Sequence, residues 1–293
     1  MTDYRAVAAE ATPRKRCLFC GTTTGKRSRE HVFRRAFKGT HHEASGLTFS
    51  AQTRDSLTVY TRPISQFDMT LNQVCQQCNS GWLNDLENAV TPILQKLSHF
   101  PFDLVDPDEL KNLGFWAYIR ALIRTRISPR GHAPDSMFED AHHNRRVPRG
   151  SYIQLGWCTH YVFEAGAHQS VFLDGTYVAH VAFGLGGHLF LVSMTEGEEM
   201  LSQTLDVSRQ PRLWFPGALH WLSPTENFDP RRIPRILTAQ EAIAVGLTLP
   251  IRMGVNPLVD NFGKVVDPTV VIPAKFHPSL AWDNFVDGHD DES

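Results

Sequence analysis

Four of the five cysteines stand in two Cys-x-x-Cys pairs, Cys17/Cys20 and Cys75/Cys78, while Cys158 stands alone. A Cys-x-x-Cys knuckle puts two thiolates on one tight turn, and two knuckles complete a tetrahedral zinc shell. A single pair would equally suit a redox motif. Two pairs, each followed by a turn residue (Gly21 and Asn79), point to one structural zinc ion. Between them lies Ser28-Arg29-Glu30-His31-Val32, which sets a carboxylate beside an imidazole. The second knuckle runs on as Cys78-Asn79-Ser80-Gly81-Trp82. Taken singly, a Glu-His pair is more often structural, and Asn79 reads as a helix N-cap. Their joint spacing carries more than either alone.

The order Cys-x-x-Cys, acidic-His, Cys-x-x-Cys-Asn resembles the zinc-containing branch of the HNH endonuclease family. The string Cys78 to Glu87, Cys-Asn-x-Gly-Trp-x-x-x-Leu-Glu, is similar to a bacterial subgroup of it. The resemblance covers Cys17 to Glu87, under a third of the chain. It implies a treble-clef-like ββα-metal core, in which His31 is the general base and Glu30 a ligand of the catalytic metal. Asn79 would complete the protein ligands, and Cys17, Cys20, Cys75 and Cys78 would hold the zinc. A hard cation such as Mg²⁺ or Mn²⁺ suits the oxygens of Glu30 and Asn79. An imidazole, with an ordinary pKa of about 6.5, can take a proton from water at neutral pH. Arg29, Arg34 and Arg35 would hold flanking phosphates. Three departures stand out, the first being Glu30 itself, where many relatives have Asp. The gap from His31 to Cys75 exceeds what a minimal core needs, so an inserted hairpin around Leu47 to Thr61 is expected. The family's middle Asn, which braces the loop carrying the His, has no clean match: Asn72 is out of spacing, and Thr70 could substitute.

Charge fits this reading without deciding it. The chain has a net charge of −2, yet Met1 to Thr40 carries ten basic residues against Asp3, Glu10 and Glu30. A local basic surface suits a phosphate backbone, and charge alone equally suits a solvated face. The expected partner is nucleic acid, double-stranded DNA before RNA. A homodimer would let one site per chain cut both strands. No apolar run approaches a membrane span and Met1 to Ala11 lacks a signal-peptide core, so a cytoplasmic protein is expected. The alternatives are a zinc-dependent nucleic-acid-binding module without catalysis, and a structural or sensing protein built on its C-terminal sheet.

Elements must position these groups. Short strands are expected at Leu47–Ser50, Ser56–Thr61 and Met69–Val74, and a helical pattern from Asn79, restarted at Pro92. Trp82, Leu86 and Glu87 read as core and solvent-face residues of that helix. Asp106-Pro107-Asp108-Glu109 is a capping box opening a helix that ends before Pro129. Arg120, Arg124 and Arg126 near its end would complement the helix dipole. Gly131–Gly150 reads as a polar loop or boundary, where His142-His143, like His41-His42 earlier, is a weak metal candidate. Strands then follow at Ser151–Leu155, Trp157–Glu164, Ser170–Leu173, Tyr177–Ala182 and His188–Met194, and a capping box at Thr238–Glu241 opens a short helix. Cys158 reads as a buried small hydrophobe. The fold class is α+β: a zinc-anchored nuclease module over 1–100, a helical connector and polar loop over 101–150, and an antiparallel β-rich region of unassigned role over 151–293.

Overall fold

The computed structural model describes residues 16–37, 48–53, 56–61, 66–98, 103–127, 131–149, 151–158, 167–173, 176–185, 188–196, 220–221, 227–230 and 235–236. These residues form a mixed structure of helix and strand. Strands β1 (Arg27–His31) and β4 (Thr70–Cys75) pair antiparallel, with Arg27 opposite Cys75 and His31 opposite Thr70. The register slips between Ser28 and Glu30, where β4 carries one extra residue. A bulge of this kind re-aims side chains, and here Arg29 faces solvent while Glu30 is buried. The long gap between them holds the expected hairpin, β2 (Thr48–Thr53) paired with β3 (Ser56–Thr61).

β4 passes straight into a helical run, and Cys75 caps it by accepting a bond from the Cys78 amide. Residues Gln76–Cys78 form the first turn, and Asn79–Leu83 a widened turn that departs from helical geometry at Gly81 (φ −93°, ψ −118°). Helix α1 (Asn84–Ser98) follows. Asn79 is therefore not an N-cap. It sits inside the run, because Cys75 already serves the first free amides. Nor does Pro92 restart the helix, since α1 passes through it. The residue just before it, Thr91, donates its hydroxyl hydrogen to the Glu87 carbonyl (2.7 Å).

Helix α2 (Pro107–Ile127) opens at the expected capping box: Asp106 Oδ1 accepts from the amides of Asp108 (2.9 Å) and Glu109 (2.8 Å), and Glu109 reaches back to the Asp106 amide. From Leu113 to Ile123 every residue is buried. A helix apolar all round belongs in the middle of a structure rather than on its surface. Trp116 packs edge-on against Phe183 and Phe190, at 6.1 and 5.6 Å between ring centres. Those two rings sit on β7 (Thr176–Leu185) and β8 (His188–Thr195). The same core runs without a break through Leu71, Leu86 and Val90 on the other side.

The stretch expected as a polar loop contains a third helix, α3 (Asp135–Asn144), ended by Arg145 in the left-handed region (φ 52°). Its buried set is only Met137, Phe138 and Ala141, too short a stripe to stand out by periodicity. The large sheet has the order β10-β5-β8-β7-β6, where β5 is Tyr152–Cys158, β6 is Ala167–Leu173 and β10 is Arg235–Ile236. Strand β9 (His220–Trp221) also joins β5. All these pairings are antiparallel except β10 with β5, which runs parallel. The expected break in β5 before Trp157 is absent: Leu155, Gly156 and Trp157 face Phe190, Leu189 and His188 in one register. The Thr238–Glu241 capping box and His41-His42 lie outside the described residues, as does the burial of Cys158. No described helix is long and apolar enough to cross a membrane.

Candidate metal centre and the cleft beside it

The first knuckle closes because Gly21 takes the left-handed conformation (φ 68°), so its amide returns to the Cys17 carbonyl (3.0 Å). The second is the junction of β4 with the helical run. Ladder pairing of β1 with β4 and the bond from the Leu18 amide to the Gln73 carbonyl (3.0 Å) bring the two turns together. All four sulfurs of Cys17, Cys20, Cys75 and Cys78 lie within 4.8 Å of one another. The Cys20 and Cys75 sulfurs are 3.6 Å apart. Zn–S bonds of about 2.3 Å in a tetrahedron require edges of about 3.8 Å, so the cluster could hold one zinc ion.

Backbone dipoles favour thiolates here. The Cys75 amide donates to Cys17 Sγ (3.3 Å), and the Cys78 amide to Cys75 Sγ (3.4 Å). The Cys17 thiol is lowered to about 4, chiefly by a hydrogen bond from Cys78, against the cost of burial. The same contact pushes Cys78 up. Trp82 covers the cluster, its ring edge-on to Phe19 (5.1 Å) and its face under the Arg145 guanidinium (3.7 Å). Trp82 is thus the packing residue that ties the first knuckle to the helices, as expected of a core position.

Beside the cluster lies a cleft of about 470 Å³, lined by Glu30, His31, Arg34, Arg35, Asn79 and, from α1 and the turn before it, Glu87 and its neighbours. Glu30, His31 and Asn79, singled out by type and spacing, therefore face one space. His31 Nδ1 lies 3.0 Å from the Phe67 carbonyl. A carbonyl can only accept, so Nδ1 carries the hydrogen and Nε2 keeps its lone pair. Asn79 Nδ2 donates to Ser28 Oγ (2.5 Å) and to the Arg29 carbonyl (3.3 Å). With the nitrogen spent on β1, the amide oxygen is left as an acceptor or metal ligand. Glu30 Oε1 accepts from Arg120 Nη1 (2.9 Å). Burial raises the Glu30 pKa above its usual value, Arg120 opposes that rise, and the charge of Glu87 adds to it. A carboxylate and an amide oxygen are the donor chemistry that a hard divalent cation accepts.

The arginines divide. Arg35 is well exposed and ion-paired with Asp68 (3.2 Å), and Arg34 donates to Asn88. Arg29 points to solvent and does not line the cleft, because the bulge turns it away from Glu30. Asn72 is exposed and Thr70 sits opposite His31 in the ladder. The bracing bond on the imidazole comes instead from the Phe67 backbone.

Two residues of the site run against the sequence reading. Glu87 is not on the solvent face: it is 8% exposed and lines the cleft. Arg120 does not serve the dipole of α2. It is fully buried, and its Nη1 donates to Glu30 Oε1, to the His31 carbonyl (2.8 Å) and to the Val32 carbonyl (3.1 Å), with Glu87 Oε1 at 3.3 Å. The signal was present as a lone cation among Trp116, Ala117, Ile119, Ala121 and Leu122, where only buried acids could compensate it. His142 tilts against the Trp82 ring (5.7 Å) and its Nδ1 meets Arg145, with burial lowering its pKa, so it serves packing at α3.

No family model matches the chain, and no curated protein and no solved structure matches it.

Proposed function

We propose that this chain is a metal-dependent nuclease that hydrolyses phosphodiester bonds of nucleic acid, DNA before RNA, with His31 as general base. The observation that carries the reading is the His31 imidazole: its Nδ1–H is fixed on the Phe67 carbonyl, and Nε2 stays free in a cleft shared with Glu30 and Asn79. Further support comes from the order of parts, two antiparallel strands running into a helix around four cysteines. That is the arrangement the HNH resemblance implies. In this reading zinc is structural. It pins the first knuckle to the β4–helix junction, so that the residues on β1 and on the helix share one frame.

His31 Nε2 accepts the proton of the attacking water, and the Phe67 carbonyl stabilises the imidazolium that forms. Glu30 and Asn79 would hold the divalent cation, Mg²⁺ or Mn²⁺. When bound, that cation neutralises charge on the scissile phosphate and the departing oxygen. Arg34 and Arg35 at the cleft border hold flanking phosphates, leaving 5′-phosphate and 3′-hydroxyl ends. A second reading, a binding module without catalysis, is favoured by one contact: Arg120 already occupies an oxygen of Glu30. The test is plasmid nicking by zinc-loaded protein with Mg²⁺ or Mn²⁺. The nuclease reading expects nicks from wild type and none from a folded His31→Ala variant. Equal DNA binding by both with no cutting by either would establish the module.

A further inference from the structure

Arg120 Nη1 has two hydrogens and four oxygens around it. The carbonyls of His31 and Val32 and Glu30 Oε1 take hydrogen bonds from it. Glu87 Oε1, at 3.3 Å, is left with an ion-pair contact and no hydrogen bond, although it is buried. Two carboxylates thus share one fixed cation, and the surplus negative charge lines the cleft. A buried carboxylate oxygen without a donor costs stability unless something compensates it. Water alone would leave the charge imbalance standing. A divalent cation in the cleft would remove it.

We propose that Glu87 is a third protein ligand of the cation site and its second carboxylate, adding to Glu30 and Asn79, with Arg120 as the internal counter-ion that holds both carboxylates at the cleft. The inference rests on the nuclease reading. Glu87 reaches the site from the first turn of α1, just past the Gly81 kink, while Asn79 comes from the turn before that kink. Both groups line the one cleft. Arg120 arrives from α2, so the site takes a residue from well beyond the two knuckles.

The test is Mn²⁺ binding to the full-length, zinc-loaded chain, followed by calorimetry and by the Mn²⁺ paramagnetic signal, with zinc content measured alongside. Glu87→Gln keeps the size of the side chain and removes its charge. It is expected to weaken Mn²⁺ binding by about 10-fold or more, the range seen when groups supporting a metal site are lost, with zinc retained. Glu87→Asp is expected to recover part of the loss. Mn²⁺ affinity unchanged in Glu87→Gln but lost in Asn79→Ala overturns the role of Glu87 and leaves the nuclease reading intact. No Mn²⁺ uptake by wild type overturns both. Should Glu87→Gln lose zinc, Glu87→Asp decides: weakened Mn²⁺ binding with zinc kept supports the role, and unchanged binding overturns it.

Discussion

Replacing Arg120 with Met removes the one cation that the buried acids share while keeping most of the side-chain volume. The loss has three parts: the bond to Glu30 Oε1, the contact with Glu87 Oε1, and the donors of the His31 and Val32 carbonyls. Each bond to a charged group is worth about 1.5–3 kcal/mol and each orphaned buried acceptor costs about 1–3 kcal/mol. These overlap, because the chain relaxes and water enters. The net cost of breaking a buried pair by removing one partner is about 3–5 kcal/mol. Urea unfolding of the zinc-loaded protein at neutral pH should show that loss. Arg120 also opposes the rise in the Glu30 pKa, so the variant's Glu30 binds its proton more tightly when folded. Its deficit should therefore shrink as pH falls. The triple change Arg120→Met, Glu30→Gln, Glu87→Gln should regain most of the loss, since neutralising a whole cluster is often near neutral in stability. A cost below about 1 kcal/mol for the single variant, or no recovery in the triple, would show that Arg120 is not the counter-ion of the two buried acids.

Three further outcomes follow. Glu30→Gln should lose cleavage yet be at least as stable as wild type near neutral pH in Mg²⁺-free buffer. Burial raises the Glu30 pKa from 4.5, so its stabilising contribution is complete below that value and is lost as pH rises through the raised one. The gain of the variant should accordingly vanish on acidification in a pH series of unfolding curves. Cys78→Ser should drop bound zinc from about one ion per chain to near none and unfold the first knuckle, read by metal analysis and protease sensitivity, because three thiolates no longer close a tetrahedron. Asn79→Ala removes the amide bridge to Ser28 and the Arg29 carbonyl. It should cut activity far more than stability, with a stability loss of about 1 kcal/mol.

What the sequence made legible follows from how local the signals are. The zinc cluster was readable because Cys-x-x-Cys turns carry their geometry with them. The start of α2 was readable because Asp106 and Glu109 close a capping box within four residues. The pair Glu30 and His31 was found by type, yet the groups that hold them were not. Phe67 contributes a backbone carbonyl, which any residue has, and Arg120 lies ninety positions from Glu30. Glu87 followed a helical pattern that placed it outward. It is nevertheless buried, beside Leu86 and against the Arg120 guanidinium from α2, a partner that no local pattern reveals. Helix α3 is hidden from periodicity because its histidines, and the prolines and arginines that flank it, outweigh a buried stripe of three residues. The two strands expected on either side of Gly156 are one, because the ladder with β8 carries the chain through the glycine.

In the proposed mechanism His31 Nε2, set free by the bond of Nδ1 to Phe67, takes the proton of the attacking water. Single-turnover cleavage of DNA by His31→Ala, with and without imidazole in the buffer, tests it most directly. The expected rate is at least 100-fold below wild type, the low end of general-base contributions, and climbs with imidazole concentration while wild type is unaffected. A His31→Ala variant that cuts at the wild-type rate would contradict it.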